Sequence, residues 1–375
     1  MIKLNLSFLT SYVLCAVIIL SCNNKPSKSN PQAEAVRFKT YSYIDKQGTG
    51  IEAFRMLIPV DWKFEGGINW ILNNPSMPAT TAFRMYKVSG VEEFEVFPNQ
   101  PFFWTNNEML ISMFPIGTRY FGNEVHPPVE PLEALRKIVI PRFRQDVQEL
   151  KIIREQPLPE LAKSLGAGMQ SQPGVSASAD GAKISIEYKR NGISIEEEIY
   201  SVVEQISFPI QSMYGYVTNT IWFVDYIFSF KAEKGKLEAN TKLFQTIAFS
   251  FKLNPLWFSK YNQVIEYLAQ REIQQIRNIG QLSRIISQTH NEISDMMMES
   301  YNQRQIVTDR ISENFSDYIR GVDRYYNPIE ERPVELPSGY QNAWTNSLGE
   351  YIVSEDPNYN PNIGSNLNWQ RMDKK

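Results

Sequence analysis

The chain has 375 residues, 42% of them hydrophobic and 21% charged, which is ordinary globular composition and enough for one large domain or two smaller ones. A formal net charge of −3 leaves no general basic surface and excludes nucleic acid as the expected partner. Both cysteines, Cys15 and Cys22, lie in the first segment, so removal of that segment before Cys22 also excludes an internal disulfide and leaves the hydrophobic core to hold the fold.

Residues 1–22 have the layout of an export signal: Lys3 near the start, an apolar run from Phe8 to Leu20, then the small Ser21. A helix over that run rises roughly 20 Å, short of a ~30 Å hydrocarbon core, so a cleaved signal is expected rather than a spanning helix. Its end, Ile19-Leu20-Ser21-Cys22, resembles a bacterial lipobox. Ser21 and Ile19 fit that pattern, and Leu20 departs from it, since small or polar residues are commoner there. The resemblance implies a signal peptide over 1–21 and acyl chains of the palmitate type on Cys22, which becomes the new N-terminus. It also implies membrane attachment through those chains, on the extracytoplasmic side of the cell envelope. The bland reading is an ordinary signal or anchor with an incidental cysteine. Residues 23–31, NNKPSKSNP, have tether composition, so 22–35 reads as a lipidated linker. Asn23 stands where some enteric lipoproteins carry an aspartate for inner-membrane retention.

From 36 to 253 the expectation is an α+β domain, an antiparallel sheet with packed helices. Phe38, Tyr41 and Tyr43 open a strand-like stretch, and residues 54–71 continue it until Gly66-Gly67 breaks the run. Short strands are expected over 82–88 and 94–97. Residues 99–128 read as a long aromatic loop. Its Phe102, Phe103, Trp104, Tyr120 and Phe121 either cap the sheet or form a ligand or partner surface. A helical stripe runs over 131–150 through Leu132, Leu135, Ile138, Val139, Phe143 and Val147. Residues 166–180 are Gly/Ser/Ala-rich, and their GAG lacks the third glycine of a dinucleotide fingerprint. KISIEYK at 183–189 alternates strictly, and Asn191-Gly192 marks a hairpin into the partner strand 193–203. Residues 220–230 read as a buried strand and 236–249 as a second helix.

Two stretches of this domain carry a resemblance. FRMLIPVDW at 54–62 is similar to the strand-Pro-x-x-Trp opening of PsbP-like and DcrB-like domains, and KLFQTIAFSFKL at 242–253 to their last helix. The resemblance implies their fold, with 99–128 as an insertion. Those families are mostly non-enzymatic, and no binding residue carries over. The whole chain also resembles bacterial lipoproteins of unassigned function.

Residues 254–320 contain Pro255 and then no proline, with Ile265, Leu268, Ile279, Leu282, Ile286, Ile293, Met296 and Val307 on heptad spacing. A long amphipathic helix is expected over 256–318, as a coiled coil or a helical hairpin. One face packs on the body, or the helix binds another protein or a second copy. The tail, 321–375, is irregular, aromatic and Asn-rich, and Trp344, Tyr351 and Trp369 are too apolar for a free segment. It is expected to pack back, or to hold a sugar or peptide.

No HExxH, GxSxG, Walker A or paired-cysteine motif is present, and neither a metal nor a cofactor is expected. His126 and His290 read as structural or solvated, and the runs Glu92, Glu93, Glu95 and Glu196, Glu197, Glu198 as solvated strand faces. Two functions remain: a lipid-anchored, non-enzymatic protein that acts by protein binding or assembly, or a carrier of a small ligand or glycan using the aromatic loop 101–121 and the tail. An enzyme with carboxylates or His126 converging on a pocket comes third.

Overall fold

The computed structural model describes residues 35–75, 77–165, 167, 174–212, 215–276 and 322–375. Cys22 and its tether, most of the Gly/Ser/Ala stretch, His290 and the helix expected beyond Ile276 lie outside the described residues.

Strands dominate. In chain order they begin with β1 (Val36–Ile44), β2 (Glu52–Pro59), β3 (Trp62–Trp70), β4 (Ala79–Lys87), β5 (Glu93–Val96) and β6 (Gln100–Thr105). A short helix, α1 (Glu108–Met113), and two brief strands, β7 (Arg119–Tyr120) and β8 (Asn123–Val125), follow. Next come α2 (Pro131–Ala134), a π-type turn over Leu135–Val139 and α3 (Ile140–Phe143), which run on as one helix. After β9 (Gln148–Pro157) and α4 (Pro159–Ser164) come three long strands: β10 (Ser176–Arg190), β11 (Ile193–Ser212) and β12 (Gly215–Glu233). The chain continues through α5 (Thr241–Phe249), β13 (Lys252–Leu253) and α6 (Pro255–Ile276). It ends with β14 (Val322–Asn327), β15 (Arg332–Pro337), β16 (Asn342–Thr345), β17 (Glu350–Ser354) and β18 (Gln370–Lys374).

These strands form two sheets. One has eight strands in the order β13-β2-β1-β17-β16-β18-β14-β15. The other has ten: β3-β4-β5-β12-β11-β10-β9, with β6, β7 and β8 joined to it through β6 and β12. Among the described residues every pairing is antiparallel except β6 with β8. The antiparallel sheet with packed helices therefore stands.

Local chemistry explains the longest hairpin. Side chains alternate in and out along β10, and Asn191 (φ 52) and Gly192 (φ 80) supply the two positive φ angles of a tight turn. β11 then pairs with β12 from Ile195↔Glu233 to Ser212↔Gly215. The register slips between Tyr200 and Val202, opposite Tyr226, which sits at φ 47. Such a bulge bends a strand. Here it falls where β12 changes neighbour, from β5 at Phe228 to β6 at Val224.

The largest core cluster draws Phe54, Met56 and Ile58 from β2, Phe83 and Met85 from β4, and Phe228 and Phe230 from β12. Against them pack Phe244 and Ile247 of α5 and Trp257, Tyr261 and Ile265 of α6. Full burial of each such side chain contributes about 1.5–3 kcal/mol. A buried carboxylate pins this cluster at one corner. Asp45 accepts hydrogen bonds from Trp257 Nε1 (2.8 Å), Trp70 Nε1 (3.1 Å), and the backbone amides of Gly48 and Thr49 (both 3.0 Å). Burial works to raise its pKa, but the indole and amide bonds outweigh it and hold the carboxyl below its usual value. Glycine suits position 48, because a Cβ there would lie 2.0 Å from Trp70 Nε1 and would force that side chain to move.

Several sequence expectations change. The helix over 131–150 stops at Phe143, because Arg144 leaves helical geometry (φ −133, ψ 36), and the β-branched pair Ile152-Ile153 joins the sheet as part of β9. The stretch 99–128 is not a loop. β6 pairs with β12, and Asn107 caps α1 by accepting from the Met109 and Leu110 amides at 3.1 and 3.3 Å. The tail is not irregular: five of the strands lie in it, and β17 pairs with β1, because Tyr351 and Val353 alternate into a core with Phe38. The long amphipathic helix is described only as α6. Over Trp257–Leu268 its apolar face (Trp257, Phe258, Tyr261, Ile265, Leu268) is buried, and all but Leu268 join the cluster from both sheets, which is the packing of a body helix rather than a coiled-coil seam.

Candidate functional site

Strand alternation determines which residues can meet on the face of the ten-stranded sheet that lies under α2 and α3. Along β11, Ile195, Glu197 and Ile199 share that face. The register sets Glu197 opposite Lys231 of β12, Lys231 opposite Glu93 of β5, and Ser229 opposite Glu95. Glu93, Glu95 and Glu197, one alternating set from the two glutamate runs, therefore do not lie on a solvated face. Glu197 is fully buried, and Glu93, Lys231 and Arg144 are nearly so.

Arg144, at the end of α3, reaches down onto this row. Its Nε donates to Glu197 Oε2 at 2.8 Å, and its Nη2 bonds both Glu197 Oε1 and Glu95 Oε2, the latter at 2.7 Å. The guanidinium also lies over the Phe97 ring, 4.8 Å from its centroid. Lys231 Nζ stands 2.6 Å from Glu93 Oε1 and 3.6 Å from Glu95 Oε2. Three carboxylates thus share two cations in a low-dielectric setting. Burial alone would raise the Glu197 pKa. The Arg144 charge and its hydrogen bonds overcome that and lower it to about 2. Burial likewise opposes the Arg144 charge, and Glu197 and Glu95 outweigh it, so the guanidinium is held more firmly protonated. Burial, followed by the charge of Glu197, pushes the Tyr188 hydroxyl up, so it stays a donor.

A cavity of about 130 Å³ opens beside Lys231. Glu93, Tyr188 and Lys231 supply its buried polar floor, and Arg190 and Asn191 come from the hairpin turn. Drug-sized ligand pockets run about 300–1,000 Å³, so this one suits something much smaller. Chemically, a carboxylate committed to a guanidinium by two hydrogen bonds is a poor proton donor, and Glu197 is a structural partner rather than a general acid. Among the described residues no group of three His, Cys, Asp or Glu is placed to hold a metal ion.

The aromatic residues singled out in the sequence lie elsewhere. Phe102 is fully buried and stacks on Trp222 at 4.1 Å. Phe103 and Tyr120 are buried against each other, 4.5 Å apart, and Phe121 meets Tyr120 edge-on while staying half-buried, as does Trp104. Tyr351 is fully buried in the eight-stranded sheet, Trp369 is buried under the Arg37 guanidinium, and Trp344 is half-buried. The loop and tail aromatics belong to different sheets and different core clusters, and five of the eight have no open surface. Large apolar rings on alternating strand positions satisfy themselves by packing. His126 is also structural: its ring lies against Phe102 and Trp222, each 5.8 Å away, and its carbonyl accepts from Trp222 Nε1 at 2.8 Å.

Sequence reasoning missed Arg144, Lys231 and Tyr188. One signal was available: Ile195-x-Glu197-x-Ile199 places a glutamate on an apolar strand face, where only a cation can hold it ionised.

No protein-family model matches the chain, and no curated protein matches it. Among solved structures it is similar to LpqN of Mycobacterium tuberculosis, described as involved in cell envelope biogenesis. The likeness is 9% in identity with a TM-score of 0.20, over 58% of this chain and 92% of that one. A superposition that loose transfers neither a fold nor a role. No described helix is long and apolar enough to cross a membrane.

Proposed function

We propose that the chain is a lipid-anchored lipoprotein of the extracytoplasmic cell envelope that acts by holding other proteins rather than by catalysis. The observation that carries the anchor is the lipobox-like Ile19-Leu20-Ser21-Cys22 with its polar linker, set only fourteen residues ahead of the first strand at Val36. A linker of that length spans at most roughly 45–50 Å, so the folded body stays close to the bilayer. The body itself supports a binding role. Glu197, Glu95, Glu93, Arg144 and Lys231 are committed to one another, while α1 and the turn after it leave Met109, Met113 and Ile116 exposed. Methionine-rich surface adapts readily to a partner. The burial of Phe102, Phe103 and Tyr120, three of the six aromatics in 101–121, favours this reading over the small-ligand alternative.

Two measurements test this reading. Wild-type protein should incorporate a clickable palmitate analogue and partition with membranes, and Cys22→Ala should do neither. Labelling of Cys22→Ala at the wild-type level removes the anchor. A photo-crosslinker at Met113 should capture specific proteins in intact cells, in greater yield than one at Lys151 on exposed β9. Equal yields remove α1 as the contact surface.

A further inference from the structure

The cavity at the end of the β10–β11 hairpin has a composition that the ion cluster alone does not explain. Its ionised lining groups are Lys231, Arg190 and Glu93, and Lys231 is already shared by Glu93 and Glu95. Lys231 and Glu93 are paired at 2.6 Å. Arg190 is different. Its side chain contacts Asp146 at 3.9 Å, both side chains are substantially exposed, and the guanidinium makes no hydrogen bond among the described residues. A guanidinium is a planar fork of five donors that matches a carboxylate in two parallel bonds. Here Arg190 lines the cavity together with the donors of Tyr188 and Lys231. The remaining walls, Val91, Ile193 and Ile195, are hydrocarbon. At ~30 Å³ per water, the space holds about four waters or one short acyl chain with its head group.

We propose that this cavity binds a short-chain organic carboxylate, its head group on Arg190 and its alkyl part against Val91, Ile193 and Ile195. The arrangement separates three ligand types of the same shape. A carboxylate can pair with the planar fork of Arg190 in two parallel bonds. An ammonium meets Arg190 and Lys231 and is repelled. A neutral alcohol gains only the apolar walls. The site is independent of the anchor and of the α1 surface, so either reading stands or falls without the other.

The test is a methyl-detected NMR titration of the full chain with butyrate, n-butylammonium and n-butanol in turn, following Ile193 and Ile195. Butyrate is expected to shift both methyls saturably and more tightly than the other two probes. Arg190→Gln, a change at an exposed position, is expected to weaken butyrate binding roughly tenfold with the remaining spectrum unchanged. Equal binding of butanol, preference for butylammonium, an unaffected Arg190→Gln variant, or no saturable shift each overturn the proposal.

Discussion

Asp45 and Glu197 are both carboxylates with no exposed surface, yet the fold keeps them ionised by different means. Asp45 is surrounded by neutral donors: two indoles, two backbone amides and the Thr49 hydroxyl. Four of these belong to a local turn and its β3 neighbour, and only Trp257 comes from far along the chain. Glu197 depends on a full cation brought from a helix end 53 residues away. Removing the acid from neutral donors leaves unsatisfied dipoles, whereas a guanidinium left alone in a core is an uncompensated charge, which costs more. The two sites should therefore respond very differently to the same kind of substitution.

The largest effect is expected at the ion pair. Glu197→Leu or Arg144→Met alone should cost about 3–5 kcal/mol in urea unfolding, because each strands its partner. Replacing both together should recover most of that loss. A double variant as unstable as the singles would show that the pair contributes attraction and not merely mutual compensation.

Acid sharpens the contrast further. The Glu197 carboxyl titrates at about 2 when folded, against an ordinary value of 4.5. The folded state then binds fewer protons than the unfolded one between those values. Stability from this group is complete above pH 4.5 and is lost as pH falls toward 2. Asp45, also lowered, changes in the same direction. Glu197→Leu/Arg144→Met should flatten this acid limb, measured as urea midpoint against pH. An unchanged limb would assign it to other carboxylates.

A smaller effect is expected at Asp45. Asp45→Ala should cost about 2–4 kcal/mol by orphaning several buried donors, and Asp45→Asn distinctly less, since one acceptor oxygen remains. Tryptophan fluorescence should change in both, through Trp70 and Trp257. Equal losses would mean that charge, not donor satisfaction, holds the corner. Smallest is Gly48→Ala, about 1–3 kcal/mol, because the new Cβ must push Trp70 off the carboxylate.

The same contrast explains what the sequence disclosed. The Asn191-Gly192 hairpin was legible because two adjacent residues specify the turn. The α5 helix and the burial of one face of α6 were legible from periodicity over a few turns. Arg144 was misplaced within a helix, because Val147 continued its stripe while lying in the turn just ahead of β9. The ion cluster draws on positions 93, 95, 144, 197 and 231, and nothing local joins them. In the tail the strand-like Glu350–Ser354 was legible between Gly349 and Pro357, whereas β14, β15, β16 and β18, which pair within the tail itself, were hidden by its Asn- and Pro-rich composition.

The pairing of β17 with β1 constrains how the protein is made. β1 sits inside its sheet, between β2 and β17, and Arg37 is linked to Glu350 across 313 positions of sequence. An emerging polypeptide therefore carries β1 with one bare edge through almost the whole of its synthesis, and closing so long a loop is slow. The sheet is completed only by the last strands to arrive. A route that keeps the chain unfolded and shielded until β17 is available fits this topology better than one that releases it in stages.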